Sequence, residues 1–149
     1  MFNNKITLFS FLLMSVGLLL ILMGSRWLLH DEPWLLDKVA NEDRLNMTFE
    51  NLFSNEINYT LAGYLKQIYR FFGLWVSIIG LFVLTFSQKE MVQIKQVRVR
   101  LLLCMGIMVF SGLLLGYLLI PKSPFIYLGW FLLLVFLFSL YIHKIFLKN

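Results

Sequence analysis

Four stretches of the sequence, residues 6–24, 71–87, 101–120 and 125–142, run for 17 to 20 residues each without one Asp, Glu, Lys, Arg or His. A bilayer's hydrocarbon core is about 30 Å thick and takes roughly 17–25 apolar residues of helix to cross. Inside lipid, backbone N–H and C=O groups have no water to bond, so a crossing segment that is not part of a closed barrel has to be helical. The sequence therefore predicts an all-α, polytopic membrane protein: an antiparallel four-helix transmembrane bundle with a partly helical outer loop between its first and second spans. Composition agrees, since 60% of the 149 residues are hydrophobic and only 14% are charged, against about 45–50% and 25% in soluble domains. Four spans and their connections use nearly the whole length, so residues 1–149 read as a single membrane domain with an outer loop at 25–70 and an inner loop at 88–100.

Orientation follows from the basic residues. With both termini on the cytoplasmic side, the inner segments carry Lys5, Lys89, Lys95, Arg98, Arg100, Lys144 and Lys148 against a single acid, Glu90. The outer side then holds Asp31, Glu32, Asp37, Glu42, Asp43, Glu50 and Glu56 with six bases. Cytoplasmic loops carry an excess of Lys and Arg, so this arrangement is the expected one, and the four tryptophans fall toward the outer interface as an aromatic belt would. The expected location is a plasma membrane, the inner membrane if the source is bacterial. Residues 6–24 have an alternative reading as a cleaved signal peptide. The run exceeds the roughly 7–15 residues of a signal core, and Leu22-Met23-Gly24-Ser25-Arg26 lacks the small residues a signal peptidase reads.

Charge and cysteine use exclude several functions. The formal charge of +5 comes from residues flanking apolar runs instead of forming a patch, which argues against nucleic acid as a partner. The single cysteine, Cys104, rules out an internal disulfide and a paired-thiol redox site. Ion-coupled transporters place ionisable groups within the membrane, and here the runs have none. The outer acids Asp31-Glu32 and Glu42-Asp43 lack a catalytic or metal-binding spacing, and the only two histidines, His30 and His143, fall on opposite sides of the bilayer. The sequence indicates no cofactor, no metal site and no catalytic residue.

The outer loop is more patterned. Leu45, Phe49, Leu52, Phe53 and Ile57 fit one stripe of an amphipathic helix, predicted over about 43–55, followed by a break near 55–58 and a helix continuing into the second span. Trp34-Leu35-Leu36 reads as a patch resting at the interface. On the inner side, Met91, Ile94 and Val97 recur every third residue among four bases, as in a segment lying along an anionic leaflet. Gly17 and Gly24, and Gly73 and Gly80, are seven apart and mark close helix crossings; Gly112 and Gly116 form a small-xxx-small pair whose default use is packing within the chain. Pro121-Lys122-Ser123-Pro124 predicts a tight turn between the last two helices.

Tyr69-Arg70-Phe71-Phe72-Gly73-Leu74-Trp75 followed by Gly80 resembles the lead-in to the second span of small four-helix bacterial membrane proteins of the DoxX-like kind. Members of that group mostly lack a defined activity, so the resemblance implies a layout and neither a catalytic residue nor a cofactor. The functional expectation is a non-enzymatic protein acting by protein or lipid contact, through Phe49 and Phe53 toward a membrane protein partner. The alternative is a lipid-handling protein or enzyme at the outer interface, with Arg26 and Arg70 holding a headgroup. A homo-oligomer is open but not indicated.

Overall fold

The computed structural model describes residues 2–147; Lys148, counted above among the inner bases, lies outside them. In chain order the helices are α1 (Phe2–Leu29), α2 (Lys38–Leu45), α3 (Phe49–Ser54), α4 (Leu61–Phe86), α5 (Lys89–Gln93), α6 (Lys95–Leu119) and α7 (Phe125–Leu147), with 3-10 turns at Pro33–Asp37 and Glu56–Asn58. No strand occurs among the described residues. Four helices, α1, α4, α6 and α7, are long and apolar enough to cross a membrane.

Helix α1 sits at the centre. Ile6, Phe9, Leu13 and Val16 recur every three or four residues, so they form one face, and all four are buried in the core cluster with residues of α5, α6 and α7. The opposite requirement, close approach to α4, is met by glycine. A Cβ at Gly80 would lie 2.7 Å from the Gly17 carbonyl oxygen, and one at Gly73 would lie 2.6 Å from that of Gly24. The partners pair 17 with 80 and 24 with 73, so the two helices run in opposite directions with a seven-residue repeat that returns each glycine to the same face after two turns. At the end of this crossing the Ser10 hydroxyl donates to the Ser87 carbonyl at 2.6 Å, tying the last turn of α4 to α1.

Helices α6 and α7 pair differently, ring into gap. Gly106 makes room for the Phe136 ring, Leu113 packs on Gly129, and Phe110 meets Phe136 edge-on at 6.0 Å. The turn between them has Ser123 buried, its amide donating to the Ile120 carbonyl and its hydroxyl accepting from the Phe125 amide. The α1/α4 and α6/α7 pairs join through α1, which packs on α7, whereas α4 and α6 hardly meet. Outward faces of the four apolar runs are dominated by large hydrophobic side chains: Phe71, Trp75, Phe82, Leu103, Ile107 and Leu134 are all exposed. A surface of this kind is stable where hydrocarbon covers it.

One expectation about the connections needs correction. The single helix expected over about 43–55 is divided between α2 and α3. Asn46 takes a left-handed conformation (φ 54°) that ends α2, and the Thr48 hydroxyl accepts from the Asn51 amide to begin α3; local cap chemistry thus outweighs the apolar spacing. The inner connection is largely helical, because α6 starts at Lys95, ahead of the apolar run, and Val92 of α5 is fully buried where Met91, Ile94 and Val97 stay partly or wholly exposed.

Candidate functional site

The outer loop folds back as a cap. Pro33 at the start of the first 3-10 turn brings Trp34 inward until it is 5% exposed, against Phe53 at 5.4 Å and Phe49 at 6.3 Å. Phe49 is itself buried and stacks on Phe53 at 5.6 Å. The aromatic surface expected to await a partner is therefore largely covered by the chain, and Trp34 rests on protein where the sequence suggested the interface.

Polar ties bind this cap to both helix pairs. Asn41 donates to the Trp34 carbonyl and to the Tyr69 hydroxyl of α4, each at 3.0 Å. Lys66 of α4 pairs with Asp31 at 3.1 Å, holding that carboxyl below its usual range, with Arg70 adding to the effect. Lys38 pairs with Glu42 and Glu50, which raise its ammonium above the ordinary lysine range, and Glu42 also accepts from the Phe49 amide. Lys122 of the α6–α7 turn pairs with Asp43. Asp31, Glu42, Asp43 and Glu50 thus serve as fasteners. Exposed pairs of this sort fix register more than they stabilise.

Asp37 departs from that pattern. It is 8% exposed, and its Oδ1 has no hydrogen-bond partner among the described residues. Burial pushes its carboxyl above the usual value near 3.8, with the Ser123 hydroxyl partly offsetting the effect. The folded protein holds that proton more tightly than the unfolded chain does, so stability falls as pH rises from the unfolded value through the folded one. Asp37→Asn removes the ionisation, and its thermal midpoint in detergent is expected to exceed the wild type's at pH 7, with the gap closing as pH is lowered toward 4. A constant gap across that range would show that the carboxyl does not titrate with folding.

Beneath the cap lies a cleft of about 500 Å³ where the two helix pairs meet, walled by Leu20 of α1, Phe72 of α4, Leu113 and Leu119 of α6, and Ile126 and Leu132 of α7. Gly112 and Gly116 line it too. A Cβ on Gly112 would meet nothing within 4 Å, and one on Gly116 would make only ordinary contact with Ile126 at 3.5 Å. This pair therefore lines a cavity, and no described residue beyond its own turn of helix lies within 4 Å of a Cβ placed on Gly112. From Met108 to Ile120 the cleft follows α6 for about 18 Å, close to the depth of one leaflet. Phe72 and Leu119 are each about half exposed, so it opens sideways.

A second cleft of about 400 Å³ under the cap shares Leu119 and Ile120 with the first as lining residues. Here polar groups appear: Asn41, Tyr69 and Arg44 share the lining with Trp34, Phe49 and Leu65. Since Asn41 donates to the Tyr69 oxygen, the phenol keeps its own hydrogen to give elsewhere. No carboxylate pairs with Arg44 among the described residues. Asn41, Tyr69 and Arg44 come from the cap and α4, and no spacing in the sequence marks them as a group. Arg26 and Arg70 are both exposed and are not gathered here: Arg26 lines a separate shallow hollow with Leu22 and His30, and Arg70 stands by Asp31. Neither protein families nor curated proteins nor solved structures match this chain.

Proposed function

We propose that the protein is a non-enzymatic, multi-pass membrane protein that holds the tail of an anionic amphiphile in its outer cleft, entering from the bilayer. The four long helices form an antiparallel bundle in this reading, with both termini on the cytoplasmic side of a plasma membrane, in keeping with the basic inner segments. The observation that carries the proposal is the sharing of Leu119 and Ile120 by two clefts: an apolar one of leaflet depth, and one lined by Arg44, Asn41 and Tyr69. That sequence of surfaces matches a molecule with a hydrocarbon tail and a charged head. Contact with a membrane protein partner is the less favoured reading, because Phe49, which was to supply that surface, is buried.

The test uses the full chain in mild detergent with Trp75→Phe and Trp130→Phe, leaving Trp27 and Trp34 to report. Trp34 lines the upper cleft, and Trp27 packs against Phe72 and Phe125 of the lower one. A brominated fatty acid is expected to quench them saturably, with affinity at least fivefold weaker after Gly112→Phe, which fills the tail channel, and after Arg44→Gln. Quenching that never saturates, or that both variants leave unchanged, would reduce the cleft to ordinary lipid contact and remove the proposal.

A further inference from the structure

A second furrow runs along the opposite half of the molecule, where α4 and α6 fail to close on each other. It measures about 400 Å³ and is walled by Ile79, Phe82 and Phe86 of α4 and by Val97, Leu101 and Cys104 of α6. Phe82 and Phe86 stack at 6.4 Å and form a flat aromatic side. The one charged group in its lining is Arg100. Residues 98 and 100 point to nearly opposite sides of a helix. Arg98 accordingly turns inward and is 5% exposed, while Arg100 is exposed beside the furrow.

We infer that this furrow is a binding site for an anionic phospholipid, one acyl chain lying between α4 and α6 and the phosphate meeting the Arg100 guanidinium. Charge decides among the occupants. The connection from Gln88 to Arg100 carries four bases against one acid, which attracts an anionic lipid surface and repels the same segment of a second copy. Arg100 lies five residues into α6, so its long apolar stem follows the helix while the head reaches back to the phosphate level. A guanidinium fork suits a phosphate, which it can grip with two hydrogen bonds. The remainder of the furrow offers an alternative headgroup no charged side chain and only the weakly polar Cys104 thiol at depth. This site is independent of the outer cleft: the two share no residue, and the outer cleft meets α4 only at Phe72, whereas the furrow occupies Ile79 to Phe86.

Native mass spectrometry of the full chain released from nanodiscs containing equal phosphatidylglycerol and phosphatidylcholine tests the inference. The wild type is expected to retain one phosphatidylglycerol at about tenfold preference over phosphatidylcholine. Arg100→Gln should bring that ratio to near one, Cys104→Trp should reduce retention of lipid by filling the furrow, and Arg26→Gln, which removes an exposed cation at the other end of α1, should leave the ratio intact. Helical content by circular dichroism certifies each variant's fold. Equal retention of the two lipids by the wild type, an undiminished ratio in Arg100→Gln, an equal loss in Arg26→Gln, full retention in Cys104→Trp, or a lipid-free dimer that Cys104→Trp dissociates would each overturn it.

Discussion

Gly80→Ala is expected to destabilise the protein by about 2–3 kcal/mol, and Gly80→Leu to separate α4 from α1 altogether. Within lipid, helices gain little from the hydrophobic effect when they associate, and the close packing of backbones carries much of the energy. At Gly80 the added methyl would meet the Gly17 carbonyl oxygen at 2.7 Å and the Ile21 amide nitrogen at 2.8 Å. Both are backbone atoms, so no rotamer change relieves the overlap, and the helices must move apart. Overpacking of this type costs about 1–3 kcal/mol and more where the neighbour cannot yield. Gly112→Ala supplies the contrast, because the same methyl meets nothing there; the higher helix propensity of alanine predicts a change between zero and about 1 kcal/mol in the stabilising direction. Unfolding of each variant by sodium dodecyl sulfate in mixed micelles, followed by circular dichroism, measures the difference. Equal midpoints for Gly80→Ala and Gly112→Ala would remove the crossing as the source of the α1–α4 docking.

That contrast also shows what the sequence could and could not reveal. The spacing of seven in Gly17/Gly24 and Gly73/Gly80 carries information, because two turns return a residue to one face and two such faces oppose each other. Gly112 and Gly116, four apart, also share one helix face on paper. What they face depends on how far α6 stands from its neighbours, which no local pattern encodes. The four long apolar helices were legible from uncharged length alone, and the break after Phe86 from the polar residues that follow. The division of α2 from α3 was visible only to cap chemistry at Asn46 and Thr48, which the apolar stripe concealed. The outer polar cluster was not legible, since Asn41, Arg44 and Tyr69 become neighbours only when the cap folds over α4.

Least legible of all was the contact between Arg98 and His143, 45 residues apart, each of which reads in sequence as a charge marking a helix end. In the fold, Arg98 Nε donates to His143 Nδ1 at 2.9 Å, and its Nη1 donates to the Val92 carbonyl at 2.7 Å. One side chain therefore fastens α5 and α7 to α6. Because Nδ1 accepts, the ring hydrogen of His143 sits on Nε2. Hydrogen bonds from a charged donor contribute about 1.5–3 kcal/mol, and leaving a buried partner unsatisfied adds its desolvation cost. Arg98→Met is expected to cost about 3 kcal/mol and His143→Leu about 2 kcal/mol. The double variant should cost at least 1 kcal/mol less than the sum, since each single change strands a partner that the pair removes together. The loss is also local in its first effect: Val92 is fully buried, and with the Nη1 bond gone α5 can lift from α1. Hydrogen exchange over residues 88–97 should then quicken by more than tenfold in Arg98→Met, with α7 beyond His143 less affected. Strict additivity of the two single changes, with exchange in α5 unaltered, would mean that the contact holds nothing in place and that α5 is kept down by Val92 alone.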